Sequence, residues 1–165
     1  MLSTIVFLPL VGALIIAVFE RSVRGIKAVA ISVTAIDLVL ALLLFVKIPG
    51  LPFLPGFDLS NSQPQFVERH NWIPQLGVQY LLGVDGLSLP MVLLTALIGF
   101  GAVLASWHIS FRHKEYFVWL LVLETGVLGV FTSLDIFLFF LFWEVELVPM
   151  FLLISIWGSG RREYS

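Results

Sequence analysis

The chain has 165 residues, of which 59% are hydrophobic and only 12% are charged, and its formal net charge is −2. A soluble domain is about 45–50% apolar and about 25% charged, so this composition indicates an integral membrane protein. The chain has no cysteine and no basic stripe, which excludes a disulfide framework and a thiolate metal site and argues against a nucleic-acid partner.

Five apolar segments of about twenty residues match a hydrocarbon core of about 30 Å. We therefore predict an all-α membrane protein with about five transmembrane helices. The first segment has no preceding positive charge and no cleavage site after it, so we expect a membrane helix that is retained. The predicted helices cover residues 2–19, 28–46, 85–107, 116–131 and 135–158.

A loop of nearly forty residues, 47–83, separates the second and third helices. Its five prolines forbid a long regular helix, and Trp72 and Tyr80 suit the headgroup level. This divides the chain into 1–111, with three helices and the loop, and 112–165, with the last two helices. The segments after helices 1, 3 and 5 lie on one side of the membrane and hold seven cations: Arg21, Arg24, Lys27, Arg112, Lys114, Arg161 and Arg162. The opposite side holds two, Lys47 and Arg69. The positive-inside rule then places the N-terminus and the loop outside.

Glu144 lies near the middle of the predicted fifth helix. A carboxylate at that depth costs about 2.5–3.5 kcal/mol on insertion scales, and such groups are normally functional. We interpret Glu144 as a titratable group on a proton or cation path; the alternative is a hydrogen-bonded carboxylate with a structural role. Residues 115–160 contain no Lys or Arg, so a cationic partner would have to come from elsewhere.

Two neighbours of Glu144 are also unusual in an apolar helix. Glu146 lies about 200° further round the helix, so it faces a different environment and is a possible interface residue. Pro149 cannot bond to the carbonyl of Val145, which is then free for water or a partner unless the proline produces only a harmless kink.

Glu124 in the fourth helix lies roughly as far from the turn near Ser133 as Glu144 does, about 15 Å at the helical rise. If the two faced each other, they would titrate as a coupled pair, so Glu124 is a second candidate for a proton-translocating residue.

Five other polar residues have simpler interpretations. Asp37, halfway along the second helix, is either a relay member or hydrogen-bonded to a neighbouring helix. Asp85 and Asp135 are predicted helix caps. Histidines 108 and 113 are expected to be solvated in a turn, and no spacing indicates a metal site.

Two stretches carry a family resemblance. They are SLDIFLFF followed by LFWEVELVPMFLLISIWG, and WIPQLGVQYLLGVDGLSLPMVLLT from Trp72 to Thr95. In this order they resemble the N-terminal third of the chain M subunit of respiratory complex I, the proton-translocating NADH:quinone oxidoreductase. Chain 4 of the cyanobacterial and chloroplast relative is the equivalent subunit.

The resemblance implies one of three antiporter-like subunits of the membrane arm, contributing to proton translocation coupled to quinone reduction. Glu144 matches the family's helix-5 glutamate, which is thought to pair with a lysine on helix 7 and gate proton movement. The family subunit carries no haem, flavin or iron–sulfur cluster, and other subunits handle the quinone and the electron donor, either NADH or NAD(P)H/ferredoxin. The family has about fourteen helices, so the chain is expected to be an N-terminal fragment that is not active alone.

The expected partners are the other membrane-arm subunits and the lipid bilayer. The expected location is the cell (inner) membrane, or the thylakoid membrane if the source is photosynthetic. Two alternatives stay open: a subunit of a multisubunit cation/proton antiporter, and a non-transporting structural or assembly piece.

Overall fold

The computed structural model describes residues 1–46, 56–58, 60 and 63–158. Part of the proline-rich loop, including three of its prolines, lies outside the described residues. Three of the cations used to predict the orientation, Lys47, Arg161 and Arg162, lie outside them as well.

Within the described ranges, five α-helices form the bundle, as predicted. They are α1 (Leu2–Val18), α2 (Val23–Phe45), α3 (Ser88–Ala105), α4 (His113–Thr132) and α5 (Ile136–Trp157). Helices α2 to α5 are long and apolar enough to cross a membrane, and α1, with 17 residues, is a shorter apolar helix. The chain is a multi-pass membrane protein, and the division at residue 112 stays a prediction.

The predicted helix caps are confirmed. Asp85 accepts hydrogen bonds from the amides of Leu87 and Ser88 at 2.9 and 2.7 Å before α3. Asp135 accepts from the first amides of α5 and, at 3.2 Å, from the amide of Gln79. These hydrogen bonds, first the one from Gln79, hold the pKa of Asp135 below its ordinary value. One predicted boundary was wrong by five residues: α2 begins at Val23, because the Ser22 side chain accepts from the amide of Gly25.

A β-hairpin lies where the sequence predicted only a loop. Strands β1 (Gln65–Ile73) and β2 (Val78–Val84) pair antiparallel, joined by a short 3-10 turn (Pro74–Leu76). Gly77 ends this turn at φ +67, a conformation that favours glycine. The prolines at 64 and 74 flank β1 without interrupting its ladder, so they forbid a long helix but permit a strand.

The hairpin is tied to one end of the bundle. The amide of Leu134, between α4 and α5, donates to the carbonyl of Leu81 at 2.9 Å. Ser3 at the start of α1 bonds to Tyr80 at 2.7 Å and donates to the carboxylate of Glu68. Burial raises the pKa of Glu68, but the hydrogen bonds from the amino terminus and Ser3 outweigh it and hold that pKa below its ordinary value.

Helix α4 lies at the centre and packs against α1, α3 and α5, while α2 lies against α1 and α3 and also touches α4. Small residues set the α4–α5 contact. A Cβ at Gly129 would overlap the ring of Phe142, and one at Gly126 would lie 2.8 Å from the Cβ of Glu146. Close approach of helix backbones at small residues is typical of packing in membranes. The side of α4 that carries Gly126 and Gly129 therefore faces α5.

Candidate functional site

Glu144 lies on the side of α5 that is turned away from the bundle. Its side chain is exposed, and so are those of Phe140 and Val148, one turn before and after it. The three residues share one helix face because they are spaced by four. Glu144 is therefore a single carboxyl on an apolar stripe that no described element covers.

Glu146 occupies a different environment, as its angular separation from Glu144 requires. It is half-buried, and its backbone lies against Gly126 of α4. Its role as an interface residue stays a prediction. Pro149 is buried within α5, which continues through it from Ile136 to Trp157.

Glu124 faces α3 from the centre of α4. It is only 5% exposed, and neither of its carboxyl oxygens has a hydrogen-bond partner among the described residues. Its carboxyl occupies the space that a Cβ at Gly99 would need. It also lines a cavity of about 160 Å³ between α3 and α4, together with Thr95 and several apolar side chains.

Glu124 and Glu144 do not face each other. The face of α4 that contacts α5 carries Gly126 and Gly129, whereas Glu124 points to Gly99 of α3. Glu144 in turn lies on the outward side of α5. The hypothesis of a coupled Glu124–Glu144 pair is therefore wrong for this bundle, because equal depth does not fix the rotation of either helix.

The structure instead brings Glu124 close to Asp37 of α2. Asp37 is fully buried, and both of its oxygens lack a hydrogen-bond partner among the described residues. Helices α2 and α4 touch each other, and the two carboxyls lie within electrostatic range without a hydrogen bond between them. Sequence reasoning identified each acid separately, but their proximity depends on how α2 and α4 are rotated and could not be found from spacing.

The remaining candidates do not form a site. His108 is exposed in the turn between α3 and α4, and the ring of His113 lies 3.5 Å from the carbonyl of Ser110. Within the described part of the chain, no group of three or more His, Cys, Asp or Glu side chains could hold a metal ion.

Comparisons with known proteins extend along the whole chain. No family model matches. The chain is 42% identical to NAD(P)H-quinone oxidoreductase chain 4 of Synechococcus over 164 residues, which are 99% of this chain and 29% of that protein. It is also 42% identical to NADH-quinone oxidoreductase subunit M of Rhodobacter capsulatus over 170 aligned positions, which cover 100% of this chain and 31% of that protein.

Two solved structures share the fold. A chain of respiratory complex I from Thermus thermophilus matches 99% of this chain and 31% of its own length, with a TM-score of 0.77 and 24% identity. A chain of an archaeal membrane-bound sulfane sulfur reductase matches 96% of this chain and 23% of its own length, with a TM-score of 0.74 and 22% identity. The chain spans about three tenths of the length of its curated relatives. These 165 residues are thus homologous to a segment of NADH-quinone oxidoreductase subunit M and of its counterpart, NAD(P)H-quinone oxidoreductase chain 4.

Proposed function

We propose that the chain acts as part of a membrane-arm subunit of a proton-translocating NAD(P)H:quinone oxidoreductase. In this proposal the subunit contributes to proton movement coupled to quinone reduction, and other subunits oxidise the electron donor and reduce the quinone. The identity to subunit M and chain 4 supports the assignment, as does the shared fold with a chain of respiratory complex I.

One observation carries the proposal: the position of Glu144. A carboxyl on an apolar, outward face of a membrane helix is costly unless protein or water covers it. The stripe around Glu144 is therefore a contact surface for further helices, and residues 115–160 supply no Lys or Arg to it. The family resemblance suggests a lysine on a seventh helix as the partner, with Glu144 taking up and releasing a proton as that pairing changes.

Two other residues of α5 have supporting roles in this proposal. Pro149 leaves the carbonyl of Val145 without its helical hydrogen bond, one residue from Glu144, so that carbonyl is available to water or to the partner. Glu146, which is half-buried against Gly126, stabilises the α4–α5 contact and the interface beyond it.

The proposal places the chain in the cell (inner) membrane, or in the thylakoid membrane of a photosynthetic source, among the other membrane-arm subunits. The N-terminus and the hairpin face the outside. The chain itself holds no haem, flavin or iron–sulfur cluster, and its residues work through protonation alone.

The test is Glu144→Gln in the complete complex, reconstituted into vesicles. We expect proton translocation during quinone reduction to fall roughly tenfold or more, since proton transfer by a positioned group contributes factors of about 100 or above. The amount of assembled complex should not change. Glu144→Asp should retain part of the activity, and Glu115→Gln, which removes a surface carboxyl of α4, serves as the control.

The same variants separate the alternatives. If Glu144→Gln leaves the rate of proton translocation per complex unchanged but lowers the amount of complex in the membrane, the chain is a structural or assembly piece and the proposal fails. Na⁺-dependent proton exchange that persists without quinone reduction, and is lost with Glu144→Gln, would favour a cation/proton antiporter.

A further inference from the structure

We propose that Asp37 and Glu124 form a proton-binding carboxyl pair, separate from Glu144, that holds at least one proton at neutral pH and exchanges it with solvent. Both side chains are at least nine-tenths buried, and none of their four carboxyl oxygens has a hydrogen-bond partner among the described residues. Buried polar groups in native structures are normally hydrogen-bonded, so an unpartnered pair of acids requires an explanation.

Among the described residues, no cation lies beside the pair, and Lys114 lies ten residues from Glu124 along α4, about 15 Å away. Helices α1 and α3, which pack against α2 and α4, contain no ionisable side chain. On α5, Glu146 lies against the opposite side of α4, at Gly126, and Glu144 faces outward. Glu115 of α4 is paired with Arg112 at the surface. Lys27 of α2 lies ten residues from Asp37, about 15 Å along the helix, and donates to the carbonyl of Trp107.

Electrostatics then determines the protonation of the pair. An ionised carboxylate that is buried without a partner is strongly disfavoured, and a second one beside it adds repulsion. A proton on one acid removes that repulsion, although the two carboxyls are not hydrogen-bonded to each other in the structure. A bound metal cation fits the site less well, because no third acidic or histidine side chain joins the two among the described residues.

A cavity borders Glu124. The cavity between α3 and α4 has a volume of about 160 Å³, and Glu124 and Thr95 are the two polar side chains among its eight lining residues. At about 30 Å³ for each water molecule, it has room for about five. Gly99 creates part of this space, because any side chain there would collide with the Glu124 carboxyl. The Glu124 side of the pair thus borders a space large enough for water, and Glu124 and Thr95 are the groups that would bind it.

Infrared difference spectroscopy of the complete complex tests the pair directly. Spectra of the wild type are compared with those of Asp37→Asn/Glu124→Gln at neutral pH, in H₂O and in D₂O. We expect the wild type to show a protonated-carboxyl C=O band that the double variant lacks, and we expect this band to shift in D₂O. Glu115→Gln, which removes a surface carboxyl of the same helix, should leave the band unchanged.

Two results would overturn the inference. If the wild type has no such band, both acids are ionised and paired with a group outside the described residues. If the band is present but does not shift in D₂O, the carboxyl proton does not exchange with solvent and the acids have only a structural role. Should the double variant fail to assemble, the single variants Asp37→Asn and Glu124→Gln decide in the same way, since at least one must lose an exchanging band.

A role of this pair in proton translocation rests on the proposed function. The presence of a bound, exchangeable proton on the pair does not. If Glu144→Gln leaves translocation intact and the exchanging band is present, the proposed function fails and the pair stands. If Glu144→Gln blocks translocation and the band is absent, only the pair fails.

Discussion

Gly99 determines how closely the Glu124 carboxyl can approach α3. A Cβ at this position would collide with both carboxyl oxygens. Gly101, two residues further along the same helix, has nothing within 4 Å of an added Cβ. The two glycines therefore form a matched pair, in which the same substitution meets a buried acid in one case and open space in the other.

We expect Gly99→Ala to lower the free energy of unfolding by up to about 1 kcal/mol, because the added Cβ meets the end of the flexible Glu124 side chain, which must shift. Gly101→Ala should instead be neutral or stabilise α3 by up to about 1 kcal/mol, because alanine has the higher helix propensity. Thermal unfolding of the detergent-solubilised protein measures both. Glu124→Ala should recover most of the loss when combined with Gly99→Ala; equal effects of the two alanines would mean that Glu124 does not contact Gly99.

Glu144 and the Asp37–Glu124 pair show where sequence reasoning reaches its limit at the residue scale. Each acid was visible as a charge in an apolar run, and its depth followed from its distance to the nearest turn. Which acids meet depends on helix rotation. Here Gly99 makes room for the Glu124 carboxyl, and the glycines at 126 and 129 make room for residues of α5.

At the scale of elements, the helices were predictable to within a few residues at most of their ends, because apolar length and capping residues fix them. The hairpin was not predictable in the same way. Its strands are stabilised largely by ties to other elements, such as the hydrogen bonds from Leu134 to Leu81 and from Gln79 to Asp135. These ties link residues more than fifty positions apart, and no local pattern reveals them.

The register of the hairpin can be tested by cysteine crosslinking, since the chain contains no cysteine of its own. Asn71 pairs with Gln79 across the two strands. Directly opposed residues in an antiparallel pair have Cα atoms about 4.5–5.5 Å apart, within the range of a disulfide. We expect Asn71→Cys/Gln79→Cys to form a disulfide several times faster than Asn71→Cys/Tyr80→Cys, whose side chains point to opposite faces of the sheet.

Gel mobility of the oxidised and reduced protein measures the rate for each pair. Similar rates for the two pairs would indicate an irregular loop in place of the hairpin. Faster crosslinking through position 80 would indicate a register shifted by one residue, which would turn every side chain of β2 to the other face.

For the whole molecule, the two ends of the bundle differ in charge and in structure. The hairpin, the start of α1 and the turn between α4 and α5 meet at one end. At the other end, Lys27 donates to the carbonyl of Trp107, and its ammonium lies 5.3 Å from the centre of the Trp107 indole ring. Arg112 lies in the turn before α4 at this same end. The described cations are thus concentrated at the end away from the hairpin, which favours a cytoplasmic location for that end.

This orientation predicts opposite labelling of two single cysteines. Asn71 in the hairpin and His108 in the turn between α3 and α4 are both exposed. With a maleimide that cannot cross membranes, Asn71→Cys should react in right-side-out vesicles and His108→Cys only in inverted vesicles or after permeabilisation. The reverse pattern would mean that the hairpin faces the cytoplasm. Labelling of both cysteines in both preparations would instead show that the chain does not keep one orientation in the membrane.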